Sequence, residues 1–249
     1  MKPDEHCPLS IRSRREVLKT IGAATFTLLA LAGRTRAAAD HKVKIGMIGS
    51  GNVGSSLGRV WANAGHPVMF SSRNLEHDKA LAMQIGANAR AGTPREAAAF
   101  GEVVVFAVPY GALSELGKTL ADSIKGKVVI DTCNPFPHRD GEIANRARAE
   151  GAGVVSAQLL PGARIVRAFN AVGASRMGSA HEDRVRMGLP IAGDDKEAIE
   201  VASTLIRETG YEPVLVGGLE MGKFLMPGTP LSGERSPEDV RRIAATLKP

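Results

Sequence analysis

Lys44 to Gly54 reads KIGMIGSGNVG. Val43, Ile45, Met47 and Ile48 make a short apolar run without a polar face, as in a strand buried on both sides of a parallel sheet. Gly49, Gly51 and Gly54 follow with the spacing G-x-G-x-x-G. Leu57, Val60, Trp61 and Ala64 then recur at i, i+3, i+4 and i+7, predicting a helix that Gly65 ends, and HPVMFSS (66–72) supplies a second strand. Glycines alone often only turn a chain. Between a buried strand and a helix they predict a dinucleotide site. Gly49 permits the tight turn, Gly51 lets a pyrophosphate approach the backbone, and Gly54 lets helix and strand pack closely. The helix N-terminus offers free N–H groups and the positive end of its dipole.

The tip of the second strand bears on which dinucleotide. A site for NAD ends this strand in an acid that bonds the ribose 2′-hydroxyl. Here it ends Ser71, Ser72, Arg73, Asn74, and Glu76 belongs to the next helix. A 2′-phosphate calls for hydroxyl donors and a planar guanidinium. Ser72 and Arg73, the latter 19 residues past Gly54, supply both and predict NADP.

Further along, strands and helices alternate. Thr93, Pro94 and Glu96 read as N-cap, first-turn proline and capping-box acid. Val103 to Val108 reads as a buried strand ended by Pro109. A helix is expected from about Ala112 to Leu120, and KVVIDTCNPFP (127–137) contains the next strand. A helix near Glu142 to Glu150, a strand at Ile165 to Phe169, a strand at LPIAGDD (189–195), a helix through Ala198, Val201, Ala202 and Leu205, a strand at EPVLVGG (212–218) and a helix opened by Ser236-Pro237 complete the chain. The fold class is α/β, a doubly wound Rossmann-type parallel sheet with a smaller C-terminal α/β extension. The expected organisation is a leader at 1–39, an NADP-binding domain at 40–160 and the extension at 161–249. Ligands sit beyond strand C-termini in such sheets, which places Val108, Pro109, Cys133, Asn134 and Pro135 at the nicotinamide end.

The net charge of +6 concentrates in the leader, where seven basic residues face three acidic ones, leaving +2 on the remainder. That balance, with aromatics at 4%, argues against nucleic acid as a partner. Of two cysteines Cys7 lies in the leader, so the body, holding Cys133, forms no internal disulfide. Arg14-Arg15, Leu18 and Lys19 precede an apolar run, Thr20 to Ala32, too short to span a bilayer, and Ala37 to Ala39 offer a cleavage site. This leader resembles a twin-arginine signal peptide. The resemblance implies a periplasmic or exported protein, with the export machinery as partner, folded around its cofactor before transport.

IGSGNVG, SSRN, AVP, DTCNP, RAFNAVGA and PIAGDDKEAIEVASTLIRETGYEPVLVGGLE together resemble the NADPH-dependent oxidoreductases of the coenzyme F420:NADP oxidoreductase type. The reductase domain of the six-transmembrane metalloreductases is similar too. The resemblance covers roughly 43–231. It implies that Ser50, Gly51, Asn52 and Val53 cradle the pyrophosphate, that Ser72 and Arg73 hold the 2′-phosphate, and that Val108, Pro109 and Asn134 flank the nicotinamide. A further basic position in some members is His77 here.

No catalytic triad or metal set emerges. His66, His138 and His181 read as surface or loop residues, and Cys133 as small filler at a strand end. Asp194-Asp195 reads as a helix cap, and Arg164 and Arg167 as surface residues. Catalytic residues are therefore left unassigned. Hydride transfer between two bound partners needs proximity and alignment more than acid or base. The expected function is hydride transfer between NADPH and a planar acceptor such as coenzyme F420 or a flavin. An exported NADP-binding protein without turnover is the alternative, and a homodimer is left open.

Overall fold

A computed structural model describes residues 42–249. The proposed signal peptide lies outside the described residues. Val43 to Pro249 form one compact unit. Its first half alternates β1 (Ile45–Ile48), α1 (Asn52–Asn63), β2 (Val68–Ser71), α2 (Leu75–Ile85), β3 (Ala89–Ala91), α3 (Pro94–Phe100) and β4 (Val103–Phe106). Then come α4 (Leu113–Thr119), α5 (Ala121–Ile124), β5 (Val128–Asp131), α6 (Pro137–Asp140), α7 (Glu142–Glu150), α8 (Ala152–Leu159) and β6 (Arg164–Arg167). The chain continues with α9 (Ala174–Met177), β7 (Gly188–Gly193), α10 (Lys196–Glu208), β8 (Glu212–Gly217) and α11 (Pro237–Ala244).

Among the described residues eight strands form one sheet in the order β3-β2-β1-β4-β5-β6-β7-β8. The first six are parallel. β7 runs antiparallel to β6, and β8 is again parallel to β7. The doubly wound expectation is borne out, and the extension continues the same sheet. The 160/161 boundary falls between α8 and β6.

Side-chain alternation explains the two layers. Val103 and Val105 of β4 join Leu57, Trp61, Phe70, Ala202 and Leu205 on one face. Val104 and Phe106 join Ala97, Leu113, Ala147 and Val155 on the other. α1 and α10 therefore cover one side, and α3, α4, α7 and α8 the other. Both faces of β1, β4 and β5 are dry, which is why these strands carry apolar runs.

The caps expected for α3 form. Thr93 accepts from the Glu96 N–H at 3.2 Å, and the Glu96 carboxylate accepts from the Thr93 N–H at 2.7 Å. Lys127 closes the other end of α3 by donating to the Ala98 and Gly101 carbonyls, each at 2.7 Å. Asp195 caps α10 by accepting from the Ala198 N–H at 2.9 Å, while Asp194 accepts from the Leu219 N–H at 3.0 Å.

Two surface readings are corrected. His66 is buried, with Nδ1 3.0 Å from the Val43 carbonyl and Nε2 2.7 Å from Glu208. Arg167 is completely buried, its charge met by Asp131. α8 was not expected. Gly151, at φ 105°, breaks the chain from α7, and α8 is apolar on most sides because it packs between the sheet and the 219–224 turn.

Candidate dinucleotide-binding site

The register places Ser71, Ile48, Phe106, Asp131 and Arg167 in one row across β2, β1, β4, β5 and β6. The residues just past this row form the C-terminal rim of the sheet. They include every position that sequence reasoning assigned to the ligand.

At the centre is the loop after β1. Gly49 has φ 103°, and a Cβ there would lie 2.3 Å from the Ala107 carbonyl oxygen. The same turn puts Val108 beside it, since that Cβ would meet Val108 Cγ1 at 2.9 Å. A Cβ on Gly54 would lie 1.9 Å from the Gly49 oxygen, so α1 can sit this close to the loop only with glycine there. Gly51 is different, because a Cβ would meet nothing within 4 Å. Gly51 is also the N-cap of α1, and no side chain caps that terminus. The exposed Asn52 and half-buried Val53 follow in the first turn. The N–H groups and dipole of α1 thus face an approach that is sterically open.

β2 forms the flank. Ser71 is buried and donates to the Met47 carbonyl at 2.6 Å, so it is spent inside the sheet. Ser72 is half-buried at the rim, and Arg73 is exposed with no ion pair among the described residues. The Ser72 hydroxyl donates to Asp78 of α2 at 2.9 and 3.0 Å, and Ser50 of the glycine loop donates to the same carboxylate. Asp78 was missed from the sequence because it approaches the rim from a helix rather than from the strand tip.

On the other side lie the ends of β4, β5 and β6. Val108 is half-buried and Pro109 exposed. The Thr132 hydroxyl donates to the Phe106 carbonyl at 2.8 Å, tying the β5 loop to the end of β4. Asn134 donates to the Asn170 carbonyl at 2.9 Å, tying that loop to the end of β6. Asn170 is fully buried and follows Phe169, the one non-glycine residue of positive φ (66°) among those described. Phe169 is held there edge-on by Trp61 and Tyr211, at centroid distances of 6.2 and 6.4 Å. A backbone conformation this costly persists only when packing over-determines it. The strand-end rule that selected Asn134 points equally to Asn170.

Beneath this rim Arg167 donates to Asp131 at 2.6 Å and to the Cys133 carbonyl at 3.1 Å, while Asp131 accepts from the Cys133 N–H at 2.8 Å. Burial first, and then the Asp131 charge, push the Cys133 thiol well above its usual range. Cys133 is therefore a protonated packing group, as expected, and no nucleophile.

A bound dinucleotide fits these residues on three counts. Gly51 leaves room for a diphosphate, and the N-terminus of α1 is uncapped. The Oδ1 atoms of Asn134 and Asn170 are buried without a hydrogen-bond partner in the structure. Such atoms call for a donor from elsewhere, and a nicotinamide carboxamide carries one.

Comparison with known proteins agrees with this architecture. Residues 44–135 match the family described as NADP oxidoreductase, coenzyme F420-dependent. The F420-dependent NADP reductase of Methanothermobacter thermautotrophicus is 30% identical over 203 residues, covering 76% of this chain and 87% of that one. Metalloreductase STEAP3 of Rattus norvegicus is 31% identical over 176 residues, covering 71% of this chain; the match spans only 34% of the rat protein. A hypothetical protein from Sinorhizobium meliloti superposes with a TM-score of 0.64 at 26% identity, covering 76% of this chain and 93% of that one. At 30% identity over most of the length of the archaeal reductase, the chain belongs to the F420-dependent NADP reductase family.

Proposed function

We propose that this protein, an NADP-dependent oxidoreductase, transfers a hydride between NADPH and a planar acceptor of the deazaflavin or flavin class, coenzyme F420 or a flavin. The observation that carries the reading is the pair of unpartnered buried oxygens, on Asn134 and Asn170, at the strand ends beside an uncapped, open glycine loop. Bound NADPH supplies the hydride. The chain's own residues bind and orient. The N–H groups of Ser50 to Val53 and the dipole of α1 meet the diphosphate, with Gly51 giving it access. Arg73 offers a guanidinium to the 2′-phosphate beside Ser72. Val108 and Pro109 give the nicotinamide end an apolar wall. Asn134 and Asn170 take the carboxamide N–H and fix the ring's orientation. Holding two planar partners close and dry supplies most of the acceleration.

The test is anaerobic turnover of purified protein, following NADPH absorbance with F420, FMN and FAD offered in turn. Oxidation with one of them supports the reading. Stoichiometric NADP with no turnover on any acceptor would point to a nucleotide-binding module instead.

The twin-arginine resemblance extends the proposal to location. The protein folds around NADP in the cytoplasm and is exported with it, so its nucleotide is recycled in place by the second substrate. Native mass spectrometry of a periplasmic fraction should find the chain cut near Ala39 with NADP bound. Rapid nucleotide loss on dialysis would argue against retention.

A further inference from the structure

The reading of the 2′-phosphate flank leaves a buried carboxylate unused. Asp78, in the first turn of α2, is completely buried, yet its partners are two hydroxyls of the proposed binding rim, those of Ser50 and Ser72. A carboxylate only accepts hydrogen bonds. Each serine has a single proton: that of Ser50 goes to Asp78, and that of Ser72 has Asp78 at 2.9 and 3.0 Å and the Asn74 carbonyl at 3.2 Å as acceptors, so both protons are engaged within the protein. The Ser72 oxygen in addition accepts from the Asn74 N–H at 3.1 Å. A ligand arriving at these two oxygens therefore meets lone pairs backed by a negative charge. Lone pairs accept well from a ribose hydroxyl, which can donate. They oppose a phosphate oxygen, which cannot. Arg73, exposed and without an ion pair among the described residues, is left to attract the phosphate.

We propose that Asp78 is a specificity-determining positioning residue: through Ser50 and Ser72 it keeps the flank acceptor-rich, so that the site takes NADH as well as NADPH. It acts from the helix as a strand-tip acid acts elsewhere, with Arg73 opposing it. This rests on the rim being a dinucleotide site.

Calorimetric titration of the full chain with NADP+ and with NAD+ tests both levels. Wild-type protein is expected to bind the two within about tenfold of each other. Asp78→Asn keeps the shape, removes the charge and adds a donor, and should raise the ratio of NADP+ to NAD+ affinity about tenfold, the size of one hydrogen bond to a charged group. A merely structural loss would lower both affinities together and leave the ratio unmoved. Should Asp78→Asn fail to fold, as judged by circular dichroism, the half-buried Ser72→Ala decides. It should weaken NAD+ more than NADP+, the opposite of what a phosphate-donating serine would show. The proposal is overturned by a wild-type preference for NADP+ above about a hundredfold, by an unchanged ratio in Asp78→Asn, or by Ser72→Ala weakening NADP+ more. Failure of wild type to bind either nucleotide would overturn the dinucleotide reading itself.

Discussion

Gly51 and Gly54, three residues apart, do different work, and single substitutions separate it. At Gly51 an added methyl meets no protein atom within 4 Å. Gly51→Ala should therefore melt like wild type while weakening NADP+ at least about tenfold, because the methyl fills the space a diphosphate needs. At Gly54 the same methyl would lie 1.9 Å from the Gly49 oxygen. Gly54→Ala should instead destabilise the fold by about 1–3 kcal/mol through overpacking, and lose binding with it. Thermal melts beside calorimetry distinguish the two. The Asp131–Arg167 pair, fully buried under the rim, makes a third case. Arg167→Met leaves a buried carboxylate uncompensated and should cost about 3–5 kcal/mol in urea unfolding, with much of that recovered in the double variant Asp131→Asn/Arg167→Met.

At the scale of elements, polar side chains decide where helices begin and end. The start of α10 is pinned by Asp195, which accepts from the Ala198 N–H and from Arg164 at 2.6 and 2.7 Å. The Arg164 hydrogen bonds first, then the backbone N–H, hold the Asp195 carboxyl down from its ordinary 3.8 to about 2. A carboxyl depressed in the folded state adds stability above its unfolded value and loses it as pH falls through the folded one. The stability difference between wild type and Asp195→Asn should be greatest above pH 3.8 and vanish toward pH 2, as read by denaturant unfolding across that range. The capping box of α3 and the aspartate cap of α10 were legible because a cap is a local bond between residues three apart. α8 was not legible, because glycine and paired valines are poor local helix formers, and that helix exists by packing against the 219–224 turn.

Across the whole molecule one sheet carries both halves of the chain. β6 completes the parallel set beside β5, and Arg167 on it neutralises Asp131. The Trp61 indole donates to the Leu205 carbonyl at 2.9 Å, joining α1 to α10 across 144 residues. A fragment of residues 43–160 should therefore fail to fold. It would expose one edge of β5, leave the charge of Asp131 without Arg167, and strip α10 from the face that holds Trp61. Dispersed amide resonances from that fragment would refute this. No helix among the described residues is long and apolar enough to cross a membrane.

What the sequence determined alone was whatever depends on near neighbours. It determined the buried strand with its glycine turn, the helix caps, the alternation that makes the sheet doubly wound, and the strand ends that carry Val108, Pro109 and Asn134. Tertiary structure decided the rest. It turned β7 antiparallel to β6, took His66 and Arg167 into the interior, and brought Asn170 to Asn134 through a strained Phe169. It also set Asp78 of α2 against Ser50 and Ser72. The physical reason is the same in each case. A hydrogen bond or charge pair between residues far apart in the chain leaves no periodicity to read, and only the packed sheet brings its two ends within bonding distance.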